Sequence, residues 1–583
     1  MPILSKKRID KFRSSIKNIT KSSMEASLIT SLPSSLSLPA QITIYAGTVL
    51  VFCLVWKLVK HLRERTFMIP VWRNAIGAHH WQLIGIITHT AYCGVCESLI
   101  VDGFYCDSCG FCSDFSCHKK ADSKYPCKTL SVGRSKNSDY KQKHHWIHGN
   151  LPSHSVCDFC KDECGDANGL IDYRCCWCQR TVHELNCFTE CNNDECDFGE
   201  WRRCIVPPFC ITHKQVWING RRKVVVESVT NFVDEPNWKP LLVIANKKSG
   251  NNDGDQILKA FRAILNPMQV IDLNETPIES GLEWCKLLAK THKETSVRIL
   301  VAAGDGSVGW VLNTIEKLKL DPKPLVGILP LGTGNDLSNV LGWGQSFSCE
   351  SSMDHVMQKV LNAHSIDLDR WKIKFIPPRR FGISLPATTF YMNNYFSVGV
   401  DALVALNFHK TREYKIYNYF FSNRFFNKFL YLLYGTKDGW ERRCKNLNEK
   451  IKLEMDGKEI DLPELESILV LNIPCWGGGC DIYNMGPGAQ VAPKQYINDK
   501  TIEVLGIYSS FHIGQLLIGL SEPLRFGQAK VIKIKLLDRL PIQIDGEPRL
   551  QFPTCITIAW NSQAKMLTTR SERKKSKIQV CDS

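Results

Sequence analysis

Seventeen of the chain's 26 cysteines lie between Cys93 and Cys204, most of them in a spacing that occurs twice. In the first block His79 and His80 precede Cys93-x2-Cys96, followed by Cys106-x2-Cys109, Asp114, Cys117 and Cys127. In the second, His144 and His145 precede Cys157-x2-Cys160, followed by Cys175-x2-Cys178, His183, Cys187 and Cys196. A Cys-x2-Cys pair places two thiolates on one tight turn around a tetrahedral ion. Two such pairs with four further donors fill two closed Zn²⁺ sites per block, so two structural zinc ions are expected in each. A disulfide framework is the competing reading, and nothing secretory elsewhere in the chain supports it.

A second chemistry is written in glycine. Residues 240–245 form an apolar run that ends in Asn246, Lys247, Ser249 and Gly250. Residues 297–302 run into Gly304-Asp305-Gly306-Ser307, and residues 325–331 into Gly332-Thr333-Gly334-Asn335-Asp336. Glycine lets backbone N–H groups approach phosphate oxygens closely, and a following helix N-terminus adds a favourable field. Three strand-to-loop transitions in succession are the layout of an open α/β sheet, which binds ligands beyond the carboxyl ends of its strands. A helix is expected over 308–315. No Walker A loop and none of the protein-kinase motif set is present.

These sites need elements to hold them. At 583 residues and 66.3 kDa the chain is long enough for about three to five structural units. With 44% apolar and 22% charged residues it is neither disordered nor collagen-like. Residues 1–38 read as a polar tail. Residues 42–56 carry no charge. Together with Leu58 and Val59 they make an apolar stretch of about 18 residues if Lys57 snorkels, so a single or re-entrant membrane segment is expected over 39–59. Zinc blocks are expected over 79–127 and 144–196, an α/β domain over 239–375, a β-rich companion over 376–560 and a basic tail over 561–583. Strands at 468–473, 502–508 and 531–537 carry the companion. The net charge of +15, from 73 basic and 58 acidic residues, favours an anionic partner. With no basic helix after the zinc blocks, an acidic membrane face is expected and nucleic acid is not.

The ligand order of the two blocks, with Trp81 and Trp146 two residues after a leading His, resembles tandem C1 domains, small α+β zinc modules. Asp114 stands where the family has its second His, and the second block has one extra residue between His183 and Cys187. Their match to the lipid-groove loop of diacylglycerol-binding C1 domains is poor, so the fingers are expected to be structural. Ala303-Gly-Asp-Gly-Ser307 and Gly332-Thr-Gly-Asn-Asp336 resemble the GGDGT and GTGND signatures of the diacylglycerol kinase family of lipid kinases. Asp367-Leu-Asp-Arg-Trp371, Asn393-Asn-Tyr-Phe-Ser-Val-Gly-Val-Asp401, Trp476-Gly-Gly-Gly479, Asn498-Asp-Lys-Thr-Ile-Glu503 and Gln543-Ile-Asp-Gly-Glu547 look like parts of its accessory domain. The overall layout is most like the epsilon type.

The resemblance implies ATP-dependent phosphorylation of 1,2-diacylglycerol to phosphatidate at a membrane, which would attenuate diacylglycerol signalling and feed phosphoinositide resynthesis. It implies Asp305 as the carboxylate at an ATP–Mg²⁺ site, with Asn246, Ser249, Gly250, Gly304, Gly306, Ser307, Gly332, Thr333, Gly334, Asn335 and Asp336 around the nucleotide. Asp499 and Glu503 would reach back to the transfer site. Lys500 departs from the usual glycine. Residues 424–435, rich in aromatics and leucine, are a candidate acyl-chain contact, with a buried helix as the other reading. The catalytic region would face the cytosol at the endoplasmic reticulum or plasma membrane. A catalytically dead lipid sensor and a kinase for another lipid alcohol are the alternatives.

Overall fold

The computed structural model describes residues 79–85, 91–130, 141–165, 169–218, 221–230, 232, 235–291, 297–332, 334–347, 352–378, 385–413 and 444–570. Two compact units divide the chain, Met1–Val71 and Trp72–Ser583, and every described residue belongs to the second. No helix among the described residues is long and apolar enough to cross a membrane. The expected segment at 39–59, the stretch at 424–435 and Thr333 lie outside them.

Each zinc block folds as a three-stranded antiparallel sheet with one short helix. The first uses Trp81–Gly85, Asp102–Cys106 and Cys112–Asp114 with the helix His118–Lys124. The second uses Trp146–His148, Tyr173–Cys175 and Thr181–Val182 with the helix Asn186–Cys191. Units this small bury too little apolar surface to be stable alone, and cysteines fill much of their cores. All four Cys-x2-Cys turns close in one way. The residue after the second cysteine donates its N–H to the first cysteine's carbonyl, at 2.8 Å for Glu97 and Gly110 and 3.0 Å for Lys161 and Gln179. Each of the four takes a positive φ, from 60° to 87°. For the three non-glycines that conformation costs roughly 1–2 kcal/mol, a strain that bound metal can offset.

The fingers are joined to one another and to the kinase-like region. Asn150 exchanges two 2.8 Å hydrogen bonds with the backbone of Tyr92. The buried Lys128 lies one residue past Cys127, and its ammonium donates to the carbonyls of Ala263 at 2.9 Å and Leu265 at 3.0 Å while sitting 4.3 Å from the Trp177 ring centre. Those carbonyls end the helix Asp253–Ile264, so a lysine from one finger caps a helix of the α/β region and stacks on a tryptophan from the other. An antiparallel hairpin, Ile211–Ile218 with Arg221–Val229, precedes the kinase-like region. The sequence analysis assigned no element there.

In that region the strands are β1 (Leu241–Ala245), β2 (Val270–Asp272), β3 (Arg298–Ala303) and β4 (Leu325–Pro330). Every residue of β1 and β3 is buried, which explains their unbroken apolar runs. They pair in parallel in the order β2-β1-β3-β4. The helices α1 (Asp253–Ile264), α2 (Ile278–Thr291), α3 (Asp305–Lys317) and α4 (Asp336–Val340) follow β1 to β4 in turn.

The rest is mostly antiparallel. β5 (His364–Ile376) pairs along its full length with the last described strand, and β6 (Thr388–Met392), β7 (Tyr395–Gly399) and the helix α5 (Val400–Glu413) follow. Then come β8 (Ile451–Met455), β9 (Lys458–Ile460), β10 (Ser467–Leu471), β11 (Ile502–Ile507), the helix α6 (Ser510–Leu517), β12 (Leu524–Ala529), β13 (Val531–Leu536), β14 (Leu540–Ile544), β15 (Glu547–Gln551) and β16 (Thr554–Thr568). One six-stranded sheet runs β12-β11-β10-β7-β14-β15. Facing it across a core that includes Phe396, Val398, Val470, Ile532 and Ile558 are strands β5, β6, β8, β9, β13 and β16. The 15-residue β16 continues past that core and pairs with β4 at Val326–Met566, so the catalytic sheet and the companion share one ten-stranded sheet.

Lys128→Met keeps most of the stem but leaves the carbonyls at the end of α1 buried without their donor. A loss of about 2 kcal/mol in stability is expected, read as a lowered thermal midpoint of the zinc-loaded chain.

Candidate active site and metal centres

Three of the four expected zinc sites assemble with four ligands. His79, Cys106, Cys109 and Cys127 form one, His144, Cys175, Cys178 and Cys196 the second, and Cys157, Cys160, His183 and Cys187 the third. Tetrahedral zinc with bonds of about 2.3 Å to sulfur and 2.0 Å to nitrogen sets ligand separations of roughly 3.5–3.8 Å. The observed values fit: Cys106–Cys127 3.6 Å, Cys109–His79 3.3 Å, Cys178–His144 3.4 Å and Cys187–His183 3.8 Å between donor atoms. His79 Nε2 donates to the Tyr125 carbonyl at 2.8 Å, which leaves Nδ1 as the ligand atom. Every cysteine among the described residues is a free thiol, as metal ligation requires and a disulfide framework does not.

The geometry corrects two of the expected ligands. His80 is turned away and pairs with Asp107 at 2.7 Å, and Asp107 also holds Arg262 of α1 at 3.1 Å. Asp114 stands apart from the three-thiolate group Cys93, Cys96 and Cys117. Its Oδ1 accepts the backbone N–H and the hydroxyl of Ser116, each at 2.8 Å, so a local turn captures the carboxylate.

The three glycine loops meet at the carboxyl ends of β1, β3 and β4. A Cβ on Gly250 would lie 3.2 Å from the Leu331 Cβ, and one on Gly332 only 2.7 Å from the Gly304 Cα. Gly304 and Gly332 are thus required by backbone-on-backbone contact between two loops. A Cβ on Gly334 would meet nothing within 4 Å. Asn246 shapes the first loop, its Oδ1 accepting from Lys248 N–H at 3.0 Å and Asn274 Nδ2 at 3.1 Å, while Ser249 N–H closes on the Asn246 carbonyl at 2.9 Å. Lys247 is paired with Asp255 at 3.1 Å. Asn335 takes a left-handed conformation (φ 47°) and ties Gly332 to Gln345 through its amide. Ser307 N–H closes the first turn of α3 onto the Gly304 carbonyl at 3.0 Å.

Asp305 opens α3. Its Oδ2 accepts from Asp336 N–H at 3.1 Å and from Asn394 Nδ2 at 2.9 Å. Its Oδ1 and the Oδ1 of Asn394 are shielded from solvent and have no hydrogen-bond donor among the described residues. Asn394 also gives its backbone N–H to Asp545 Oδ1 at 2.8 Å, and Asp545 accepts further N–H groups from Asn393 at 2.8 Å and Tyr395 at 3.1 Å. Asp545 sits in the two-residue turn between β14 and β15, where it and Gly546 both have positive φ, the form such hairpins prefer. Glu547 closes the ring of acids, with Oε1 2.7 Å from where a Cβ on Gly306 would be. Burial, then the charge of Asp545, pushes the Asp305 carboxyl up to about 6. Burial lifts Asp545 to about 6 as well, against the pull of its N–H donors. The Asn393 and Gln543 segments are legible in the sequence, but the roles of Asn394, Asp545 and Glu547 are not, because they depend on contacts between distant residues.

Asp499 and Glu503 make no contact with this cluster among the described residues. Asp499 is exposed and accepts from Thr501 N–H and hydroxyl at 2.9 and 2.7 Å. Glu503, buried in β11, is held by Gln495 and Gln528 at 2.7 and 3.0 Å, and burial drives its carboxyl up to about 8. Lys500 occupies the left-handed region at φ 62°, as a glycine would. Its N–H to Asp369 at 2.6 Å and its ammonium 4.7 Å from the Trp560 ring centre help offset a backbone cost of about 1–2 kcal/mol. Asp369 also binds Trp560 Nε1 at 2.8 Å. Next to it, the buried Arg370 holds Asn393 Oδ1 at 2.9 Å, the Leu312 carbonyl at 3.1 Å, and Asn313 and Glu316 on α3. This arginine fixes the helix that starts with Asp305 against the turn that carries Asn394.

With three thiolates and no fourth ligand among the described residues, the Cys93–Cys96–Cys117 site should release zinc to a chelator well before the other three. Stoichiometric release followed with a colorimetric chelator should show one fast and three slow ions per chain. Asp114→His should move the fast ion into the slow phase.

Residues 240–368 match the diacylglycerol kinase catalytic domain family and residues 391–548 the diacylglycerol kinase accessory domain family. "Probable diacylglycerol kinase 3" of Caenorhabditis elegans is 34% identical over 86% of this chain and 65% of its own length. "Diacylglycerol kinase 2" of Arabidopsis thaliana is 30% identical over 82% of this chain and 80% of its own. A crystal structure of a diacylglycerol kinase from Bacillus anthracis aligns with 56% of this chain at 16% identity and a TM-score of 0.34, a likeness too weak to carry an argument. With both kinase domains matched in order and the plant relative covered over most of its length, the chain belongs to the diacylglycerol kinase family.

Proposed function

We propose that the chain transfers the γ-phosphoryl group of ATP to the free hydroxyl of 1,2-diacylglycerol, with the Asp305–Asn394–Asp545 cluster at the centre of the reaction. The observation that carries this reading is the pair of solvent-shielded oxygens on Asp305 and Asn394, without a donor among the described residues and placed where three glycine loops meet. Hard divalent cations take oxygen ligands of this kind, so the residues fit Mg²⁺. Asp305 and Asn394 would hold it, and it would supply charge neutralisation on the nucleotide phosphates.

The chain's own groups do the rest. The N-terminal end of α3 favours phosphate oxygens, and the glycines at 250, 304 and 334 let the backbone approach them closely. As the substrate oxygen bonds to the γ-phosphorus, the bond to the ADP oxygen breaks and the hydroxyl proton must leave. A carboxylate near pKa 6 is matched to that task at neutral pH, and Asp305 and Asp545 are both raised to about 6. In this reading Asp545 is the acceptor and Asp305 the cation ligand. Asp499, beside the Lys500 turn, and Glu503, held by Gln495 and Gln528, act as positioning acids.

The remaining parts of the proposal concern placement. The uncharged run at 42–56, flanked by basic residues, supports a membrane anchor for the N-terminal segment, with the catalytic region on the cytosolic face of the endoplasmic reticulum or plasma membrane. An anchor, two fingers and an uninterrupted kinase region support the epsilon-like type within the family.

Labelled phosphate from γ-labelled ATP should appear in phosphatidate with diacylglycerol in mixed micelles and be far weaker with sphingosine as acceptor. The kcat/KM of the wild type should rise with pH through about 6 as the cluster ionises. Asp545→Asn should be at least about a hundredfold slower. Its residual activity should titrate at lower pH, because removing the neighbouring charge lowers Asp305. Labelling of sphingosine over diacylglycerol, or an Asp545→Asn enzyme as fast as wild type, would refute the proposal.

A further inference from the structure

The companion domain carries an apolar surface that the site described above does not use. On α6 and the loop after it, Phe511, Ile518 and Leu520 are 75%, 69% and 74% exposed. Phe511 and Ile518 are seven residues apart, two helical turns, so they project from one side while Ile513 and Leu516 pack inward. From Val504 to Ser521 the chain has no Asp, Glu, Lys or Arg. The one imidazole in that stretch, His512, has both ring nitrogens engaged, Nδ1 accepting from Tyr508 N–H at 3.2 Å and Nε2 donating to the Glu522 carbonyl at 3.1 Å. Nothing charged has to be stripped of water if this face enters hydrocarbon.

Its position connects it to the phosphoryl-transfer site. The loop from Cys475 to Cys480 is sandwiched between α6 and α4. On one side Cys480 Sγ donates to the Leu516 carbonyl at 3.6 Å, and a Cβ on Gly477 would touch Leu517 at 3.3 Å. On the other, Gly478 N–H donates to Asp336 Oδ1 at 3.1 Å, and Asp336 N–H reaches Asp305. The helix α6 and one loop therefore separate the apolar face from the carboxyl end of β4.

We infer that Phe511, Ile518 and Leu520 form a bilayer-insertion surface that seats the catalytic end of the enzyme on the membrane holding its substrate. This rests on the diacylglycerol reading, because only a bilayer-resident substrate requires the glycine loops to meet a lipid surface. Insertion of large apolar side chains near the site brings the transfer centre to the height of the headgroup hydroxyl, something an anchor hundreds of residues away in sequence does not do by itself.

The test uses the full chain and two presentations of substrate. Long-chain diacylglycerol is dispersed in phosphatidylcholine–phosphatidylserine vesicles, and a short-chain diacylglycerol is supplied as monomers. In the Phe511→Ser/Ile518→Ser/Leu520→Ser variant kcat/KM on vesicles should fall at least about tenfold, while turnover of the monomeric substrate stays within about twofold of wild type. Leu520→Trp, which keeps the face apolar, should retain the vesicle rate. An unchanged vesicle rate in the triple variant, or an equal fall on both substrates, would overturn the inference. A wild-type enzyme inactive on both substrates would instead overturn the diacylglycerol reading, so the two failures are distinct.

Discussion

The structure depends on one asparagine between two carboxylates. Asn394 gives its side-chain amide to Asp305, at the end of a parallel strand, and its backbone N–H to Asp545, in a hairpin turn of another sheet. Left to themselves, two like charges in a shielded pocket would keep apart or stay protonated. Fixed N–H donors hold them together instead. Burial pushes both carboxyls up to about 6, and at Asp305 the charge of Asp545 adds to the rise.

Everything around the cluster serves that juxtaposition. β16 belongs to both halves of the enzyme, so the companion is joined to the parallel sheet along a strand rather than hung from a linker. Arg370 binds α3 and Asn393 at once, and Trp371 is fixed by Asn472 at 2.7 Å, while Asn472 in turn holds the Asp369 carbonyl at 2.8 Å. Within the motif Asp367-Leu-Asp-Arg-Trp371, Asp367 and Asp369 hold β16, Arg370 holds α3 and Asn393, and Trp371 holds Asn472. At the far end of α1, Lys128 ties the same α/β layer to both zinc fingers.

What was legible in the sequence followed from local rules. Unbroken apolar runs ending in glycine marked β1, β3 and β4, because strands buried on both faces have no alternation to show. Cysteine pairs two residues apart marked the knuckles. What was not legible required contacts between distant residues. His79 and His80 are neighbours of one type, and only Asp107 with Arg262 of α1 draws His80 away from the metal. Asp114 is held by Ser116, two residues on, which spacing alone does not reveal. Asp545 and Asn394 lie 151 positions apart and meet because β7 pairs with β14. The Gln543-Ile-Asp-Gly-Glu547 stretch was recognisable by resemblance to an accessory domain, yet its aspartate's partner was not.

The most direct test of this account is a double-mutant cycle on Asp305 and Asp545, measured as kcat/KM for phosphoryl transfer to diacylglycerol at saturating Mg²⁺. If the two carboxylates act as one unit across Asn394, the Asp305→Asn/Asp545→Asn enzyme should be little slower than the slower single variant. Losses that multiply, each variant costing its full factor in the presence of the other, would show two independent groups and contradict the account.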